Sequence, residues 1–373
     1  MSLESIATFV GQAAGVATNI VVLLAVLVVL VLIHEFGHFV VARRVGVKVH
    51  EFGIGFPPRA RVLHQGPETA YTLNWLPIGG FVRLEGEDGD SDDPRSFVRQ
   101  PLRTRLVILF AGVIMNLLLA WALMSAVAFS EPTMTMIINE LPTSTDGSPS
   151  PAQQAGLVKG DTILAVDGKT FAWFADPTGR TGTPLVYFRE HAGQAVTLTV
   201  RRASGAVDEI PVTLRDAEAA VTQGALGVKA PTLAVGENVQ RTILESIRLG
   251  LQRTIEACGL ILVAVRDLFA DIANPQVSGP LGILNAVGIV RELPPVYFVY
   301  LIALLSANLA VVNALPLPPM DGGRVAVSLV KAVSGERISV RAERMTYAVG
   351  FVLLMAFLVY ITIFDIARLG AAP

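Results

Sequence analysis

The stretch VVLVLIHEFGHFVVARR, residues 28 to 44, places two histidines and a glutamate inside a run that is otherwise apolar. One helical turn separates His34 from His38, so both imidazoles lie on one face of a helix and can reach the same metal ion. Glu35 is adjacent to that face, where it can take a proton from a water molecule. The pattern therefore predicts a metal site on a membrane helix.

A chance His-Glu-x-x-His sequence also occurs in soluble proteins, where its ordinary interpretation is an exposed helix with satisfied side chains. That interpretation weakens here, because ionisable groups inside a membrane span are costly and usually face a functional interior. The composition supports a membrane setting. Of the 373 residues 52% are hydrophobic and only 16% are charged, whereas a soluble chain has about a quarter charged residues.

Four stretches are long and apolar enough to cross a bilayer as helices. The first is not a cleavable signal peptide, because its apolar core is too long and no small-residue cleavage site precedes HEFGH. The lone Cys258 excludes an internal disulfide. We expect an α-helical polytopic membrane protein in contact with the lipid bilayer, and nucleic acid is not an expected partner. The predicted spans are about 17–42, 106–129, 296–315 and 345–364.

Lysine and arginine are distributed unevenly around these spans. Residues 1–16 contain neither, whereas 43–105 contain many; after the third span basic residues recur from Arg324 to Arg344, and the tail beyond the fourth has only Arg368. Because basic residues favour the cytoplasmic side, we expect four crossings with both termini outside the cytoplasm.

A tetrahedral zinc bound by two histidines needs a third protein ligand and keeps its fourth position open. The segment SANLAVVNALPLPPMDGGR, residues 306–324, is expected to supply it through Asp321, which we expect to end the third span on the side of His34 and His38. Without its neighbours, Asp321 would be an ordinary helix-ending aspartate. Helix-breaking prolines and tight-turning glycines favour a pocket instead: Pro316, Pro318, Pro319, Gly322 and Gly323.

The segment between the first two spans alternates in a way that predicts strands. Residues 71–84, YTLNWLPIGGFVRL, are expected to form a β hairpin or strand pair. Since the segment is apolar and lies beside two spans, we expect it to dip into the membrane, buried in protein or lining a wet cavity. The acidic 85–94 segment is expected to be a solvated turn.

Residues 131–230 have the composition of a soluble α/β module, and the predicted topology puts this module outside the cytoplasm. In SPAQQAGLVKGDTILAVDGKTF, 150–171, a short helix is expected to end near Gly156, Gly160 to adopt a positive φ, and a strand to enter the hairpin VDGK. This looks like a PDZ domain of bacterial membrane and envelope proteases, with GALGV, 224–228, as carboxylate-binding loop and edge strand. The alternative is a β-rich spacer without a ligand.

Residues 231–290 are expected to be an amphipathic helix on the outer membrane surface and a linker. A fifth span within them would put the two chemical motifs on opposite membrane faces, so we reject it. The expected organisation is a membrane domain in two parts, 1–130 and 291–373, with the PDZ module and the amphipathic segment between them.

The order of motifs resembles the site-2 protease family of intramembrane zinc metalloproteases, in particular the bacterial branch with one PDZ domain, of the regulator of sigma-E protease type. The resemblance covers nearly the whole chain. Departures are Met320 in place of the usual Leu and Val113 in place of a frequent Pro, both apolar exchanges away from the metal. The resemblance depends on the following motifs, in this order along the chain: HEFGH, PIGGFVRLEGE, AGVIMN, VSGPLGI and NALPLPPMDGGR.

The resemblance implies that His34, His38 and Asp321 bind Zn2+ and that Glu35 is the general base. Asn313 would hold the substrate strand or the developing oxyanion, and Asn308 matches a second family asparagine; taken alone, both amides are best explained as helix-to-helix hydrogen bonds. The segments 52–56 and 71–84 would form a membrane-associated hairpin that accompanies the substrate. Residues expected to contact substrate there and in the PDZ module are Gly79, Gly80, Phe81, Leu226, Gly227 and Val228.

The implied activity is cleavage of single-span membrane proteins in the bacterial inner membrane, as in regulated intramembrane proteolysis. Membrane-bound regulators of the anti-sigma-factor type and remnant signal peptides are the substrates that the resemblance implies, after a first external cleavage. One alternative is a catalytically silent scaffold that binds clients through its PDZ-like module, although such a protein would not require Glu35. Another is a zinc transporter, but the second and fourth spans offer almost no polar residues.

Overall fold

The structure is a computed structural model that describes residues 3–87, 91–145, 147–172, 174, 183–273, 275, 277–334 and 339–371. The chain divides into two compact units. The membrane unit comprises Met1–Ser125 and Gly250–Pro373, and the inserted unit comprises Ala126–Leu249.

Ten helices and eight strands make up the described parts of the chain. In chain order they are α1 (Leu3–Arg44), β1 (Val49–Gln65), β2 (Ala70–Leu84), α2 (Leu102–Phe129), β3 (Ser130–Ile137), α3 (Pro151–Gln154), β4 (Thr162–Val166), β5 (Phe171–Ala172), α4 (Pro184–Glu190), β6 (Ala195–Arg201), β7 (Val207–Thr213), α5 (Ala217–Gln223), β8 (Thr232–Gln240), α6 (Ile243–Ala270), α7 (Pro280–Arg291), α8 (Pro295–Ala314), α9 (Asp321–Ser334) and α10 (Val340–Ala371).

Four of the described helices are long and apolar enough to cross a membrane, which confirms the number expected from sequence. At roughly 1.5 Å per residue, even the shortest, with 20 residues, reaches across a hydrocarbon core. α6 does not qualify among the described helices, in agreement with the rejection of a fifth crossing. The four helical segments are Ala13–Arg44, Leu102–Phe129, Pro295–Ala314 and Val340–Arg368.

The third of these helices ends close to the predicted end of its span and well before Asp321. α8 stops at Ala314, and Leu315 is already extended, because it precedes a proline-rich segment that cannot continue a helix. Asp321 is the first residue of α9. The expectation that Asp321 ends the third span was therefore wrong: it begins the following helix.

β1 and β2 form a hairpin-like sheet in which both strands bend. The first part of β1 pairs with β2 twice: Phe52 lies opposite both Tyr71 and Val82. Beyond the bend at Pro57 and Pro58, the second part of β1 pairs with the first part of β2. The order across the sheet is therefore 59–65, 70–74, 51–54 and 80–84. The 80–84 segment, here called the edge segment, has no strand on its outer side in the described part of the chain.

This sheet packs through apolar side chains against the C-terminal end of α1 and the N-terminal parts of α2 and α9. The buried cluster joins α1, α2, α9 and the sheet, and its members include Phe39, Ala42, Val49, Ile108, Leu109 and Val325.

α1 and α2 are in close contact at Gly37, inside the HEFGH motif. A Cβ atom at Gly37 would overlap the carbonyl oxygen of Ala111 and lie 2.7 Å from Cγ of Met115. Only glycine allows this helix contact, which holds α2 beside both histidines.

The inserted unit is a six-stranded sheet with three short helices. The strand order is β5-β3-β4-β6-β7, and β8 pairs with β3. Local expectations from the sequence are confirmed: α3 ends just before Gly156, Gly160 has φ +94, and Asp167 and Gly168 both have positive φ in the VDGK hairpin. Its core contains Met136, Ile163, Phe188, Leu198, Val200 and Leu226.

One expectation for this unit was wrong. Residues 224–228 form no strand. The positive φ values of Gly224 and Gly227 interrupt an extended conformation. The backbone of this segment also hydrogen-bonds within the inserted unit, where the Leu226 carbonyl accepts from the Ala152 amide at 3.1 Å. This segment therefore lacks the edge strand that we expected.

We predict that Gly37→Ala lowers the thermal unfolding temperature of the detergent-solubilised protein. The added methyl group meets the backbone of α2, and overpacking of this kind costs about 1–3 kcal/mol. Gly15→Ala is the matched control, because Gly15 lies on the same α1 helix and a methyl group added there would have no atom within 4 Å. Equal unfolding temperatures for the two variants would contradict the proposed close contact.

Candidate metal centre

The α1 helix and the first turn of α9 bring three metal-ligating side chains together. His34 Nε2 lies 2.9 Å from Asp321 Oδ2, His38 Nε2 lies 3.2 Å from the same oxygen, and the two Nε2 atoms are 3.2 Å apart. Both histidines are buried. In the described part of the chain this is the one group of three such residues with donor atoms close enough to share an ion.

These donor atoms fit a zinc ion. Two ligands of a tetrahedral zinc, each about 2.0–2.1 Å from the metal, are about 3.3 Å apart, close to the distances between the three donors. Two imidazoles and one carboxylate also form the ligand set of many catalytic zinc sites, which keep a fourth position for water or substrate.

Helix α2 shapes the other side of this cluster. Nδ1 of His38 lies 2.8 Å from the carbonyl oxygen of Ile108, so Nδ1 carries the proton and donates it, and Nε2 keeps its lone pair. A Cβ atom at Gly112 would overlap His38 Nε2 and lie 2.7 Å from His34 Cε1. Glycine at this position therefore makes the room that the two imidazoles occupy.

The environment of Asp321 favours its ionised form. Burial alone would raise the pKa of this carboxyl group, but the two adjacent imidazoles outweigh burial and hold the pKa well below its usual range. Its place at the start of α9 adds the positive end of the helix dipole. A stable carboxylate is what a metal ligand requires.

The two glycines after Asp321 are required by close packing rather than by a tight turn. Both are helical, and a Cβ atom at Gly323 would lie 2.7 Å from the Pro318 nitrogen. The expectation of a turn at Gly322 and Gly323 was therefore wrong: they let the first turn of α9 lie directly on the proline-rich segment that precedes it.

A cavity of about 440 Å³ opens beside the three donors. Glu35 lines it, and no hydrogen bond joins this carboxylate to another residue in the described part of the chain, so Glu35 is available to water or substrate. Asn313, Gly80 and Phe81 also line the cavity. Asn308 and Gly79, which were predicted to contact substrate, are not among its lining residues.

The remaining predicted substrate residues belong to the inserted unit. The Leu226 side chain is only 2% exposed and lies in the core, so this side chain is not available to a ligand. Gly227 lies against Ser150 and Arg215, and Val228 packs at the edge of the same core.

The cavity wall contains an ion pair that the sequence did not indicate. Arg324 of α9 donates a hydrogen bond to Glu87, which follows the edge segment, and both line the cavity. The attraction of Glu87 raises the pKa of Arg324 above its usual value. The guanidinium also lies 5.9 Å from the centre of the Tyr347 ring. This pair joins α9 to the end of the β1–β2 sheet.

Gly112 and Asn116 were given no role from the sequence, although both occur in the AGVIMN motif. Asn116 is completely buried and its Nδ2 lies 3.3 Å from Nδ1 of His34. A small residue and an amide one helical turn apart in an otherwise apolar span were the available signal.

Comparison with known proteins points to the same chemistry. The family model of peptidase family M50 matches residues 22–357. A candidate zinc metalloprotease of Clostridium acetobutylicum is 30% identical over 351 residues, covering 93% of this chain and 97% of that relative. A candidate zinc metalloprotease of Brucella suis is 30% identical over 388 residues, covering 97% and 99%.

A third relative has a specific name. Zinc metalloprotease RasP of Geobacillus kaustophilus is 27% identical over 434 residues, covering 94% of this chain and 98% of the relative. The family match spans most of the chain and includes both HEFGH and MDGG. The chain therefore belongs to peptidase family M50, the site-2 protease family, whose members are intramembrane zinc metalloproteases.

Proposed function

We propose that this chain is a zinc-dependent intramembrane endopeptidase in which His34, His38 and Asp321 hold the metal. The observation that carries the proposal is the convergence of these three donors, no more than 3.2 Å from their neighbours, beside Glu35 in one cavity. Membership of family M50 supports the same chemistry.

When bound, a zinc ion acts as a Lewis acid that polarises a carbonyl group and makes water a nucleophile near neutral pH. Glu35 accepts the proton of the attacking water and returns it to the leaving amine. Asn313 donates an amide hydrogen bond to the substrate strand or to the oxygen on which negative charge develops. The cavity supplies water to a reaction that the surrounding lipid would exclude.

A transmembrane substrate must unwind before attack, because a helix keeps its own carbonyl groups in hydrogen bonds. The edge segment can receive the unwound strand by strand addition. Gly80, Phe81 and Val82 of this segment line the same cavity as His34 and Glu35. By contrast, residues 70–74 pair on both sides and have no free edge. We therefore propose that the substrate strand pairs with residues 80–84 and not with the whole of 71–84.

We further propose that the substrates are single-span membrane regulators, of the anti-sigma-factor type, or remnant signal peptides. The distribution of basic residues supports a bacterial inner-membrane enzyme with the termini and the inserted unit outside the cytoplasm. The inserted unit, 131–230 in the sequence-based division, would act as a PDZ domain that admits substrates after a first external cleavage, and 231–290 as an amphipathic segment. The positive-φ glycines around α3 and β4 support this interpretation.

We expect Glu35→Gln to lower the rate of substrate cleavage by about 10²–10⁴-fold, the usual contribution of a general base. Its metal content should stay at the wild-type value, because Glu35 is not one of the three donors. The measurement is cleavage of a single-span substrate by the purified full-length protein in detergent, with bound zinc counted in the same samples.

The same experiment separates the protease from the scaffold. Client binding by the wild-type protein without any cleavage would support the scaffold and contradict the proposal. Undiminished cleavage by Glu35→Gln would exclude the proposed role of Glu35 as general base.

A second prediction concerns the edge segment. In a Glu35→Gln, Cys258→Ser background, a single cysteine at Phe81 should form a disulfide with a cysteine in the transmembrane segment of a substrate. Phe81 lines the cavity and belongs to the edge segment. Leu73→Cys is the control, since Leu73 is 40% exposed but lies in a strand paired on both sides. Crosslinking that is equal at the two positions would exclude strand addition at 80–84.

A further inference from the structure

The side-chain amide of Asn116 contacts His34 through its nitrogen and leaves its buried oxygen without a hydrogen-bond partner among the described residues. It lies on α2 one turn after Gly112, is completely buried, and points its Nδ2 at Nδ1 of His34 over 3.3 Å. Its Oδ1 is buried and has no hydrogen-bond partner among the described residues. Leaving a buried amide oxygen unpaired costs the free energy of its lost hydration. A side chain kept at this cost is a candidate for a role in the neighbouring site.

The two orientations of the amide have different consequences for His34. If Nδ2 faces the ring, Nδ1 must accept, so the ring proton is on Nε2 and that nitrogen cannot bind a metal. If Oδ1 faces the ring, Nδ1 carries the ring proton and donates a hydrogen bond to Oδ1. Nε2 then keeps the lone pair that a metal needs. A half-turn of the amide about its Cβ–Cγ bond exchanges the two atoms and also gives Oδ1 its missing partner.

We propose that Asn116 is a positioning residue for the metal: its amide oxygen accepts the Nδ1 proton of His34 and thereby directs Nε2 toward the ion. This inference rests on the proposed function, because it assumes that His34 is a ligand. It gives His34 the counterpart of the hydrogen bond that His38 donates to Ile108 at 2.8 Å. Partners of this kind fix the tautomer and the ring orientation of metal-binding histidines.

The hydrogen bond that ties Asn116 to a neighbouring helix uses its backbone and not its side-chain amide. The main-chain oxygen of Asn116 accepts a hydrogen bond from Ser306 Oγ at 2.8 Å, which ties α2 to α8. Ser306 is fully buried. Because this bond uses the backbone, the side chain remains available to His34. Asn116 thus connects the helix that carries the histidines with the helix that leads to Asp321.

The alternative is that Asn116 only joins helices through its amide. Substitutions distinguish the two interpretations, because aspartate keeps an oxygen acceptor but has no N–H donor, whereas leucine has similar volume and neither group. A donor role toward His34 would be lost in both variants. An acceptor role is lost only with leucine.

The experiment measures cobalt binding to full-length protein in detergent, using Co2+ alone as the probe and following its visible absorption in competition with a chelator. Asn116→Leu should weaken binding by about 10–100-fold, the usual effect of losing such a hydrogen bond, and should shift the absorption bands. Asn116→Asp should bind as tightly as the wild type with similar bands. Ser125→Ala is the control, since Ser125 lies on the same helix and its hydroxyl bonds, within the described part of the chain, only to the main-chain oxygen of Trp121. This variant should bind cobalt as the wild type does.

Asn116→Ala is a second test that removes the amide without adding a branched side chain, and helical content by circular dichroism identifies folded samples. Weaker cobalt binding by both Asn116→Leu and Asn116→Ala, each judged only when it folds, together with tight binding by Asn116→Asp, supports the proposal. Wild-type affinity in the leucine or alanine variant overturns it, and so does equal loss in the aspartate variant. Failure of the wild-type protein itself to bind cobalt would instead overturn the proposed function.

Discussion

The structure depends on one electrostatic constraint, the burial of a carboxylate beside two imidazoles near the C-terminal end of the membrane helix α1. Asp321 reaches His34 and His38 from 283 or more residues away, and the donors stop about 3 Å apart. A divalent cation would balance the carboxylate and bind the Nε2 atom of each imidazole, so none of these groups would be left as an unpaired charge. The absence of a side chain at Gly37 and Gly112 lets α1 and α2 lie in close contact beside the histidines. The proline-rich segment ends α8, and α9 begins at Asp321.

Much of this arrangement could be predicted from the sequence, because the strongest signals are local. Hydropathy marks the four long helices, and the spacing of His34 and His38 places both on one helix face. The place of Asp321 at the start of α9 was missed because a proline-rich segment is compatible with either an ending or a beginning helix. Asn116 was missed for a different reason. An amide in a span has an obvious role in joining helices, and only its distance to His34 indicates another one.

The β1–β2 sheet shows where pattern alone is insufficient. Alternation correctly predicted strands in 71–84, but the bends place 70–74 inside the sheet and 80–84 at its edge. Which segment has a free edge depends on long-range pairing, which period-two alternation does not encode. The same limit applies to 224–228, where two glycines with positive φ prevent the expected strand. In the membrane unit the pairing also decides which residues stand beside Glu35, since the free edge of the sheet and Glu35 line one cavity.

Whether the three donors hold zinc is measured most directly by X-ray absorption at the zinc edge of the purified, full-length protein. We predict one zinc ion per chain, surrounded by two imidazole nitrogens and by oxygen from Asp321 and from water. We also predict that Asp321→Asn changes the oxygen shell or empties the site. A protein without bound zinc, or a zinc ion whose nearest ligands do not include two imidazoles, would contradict the assignment.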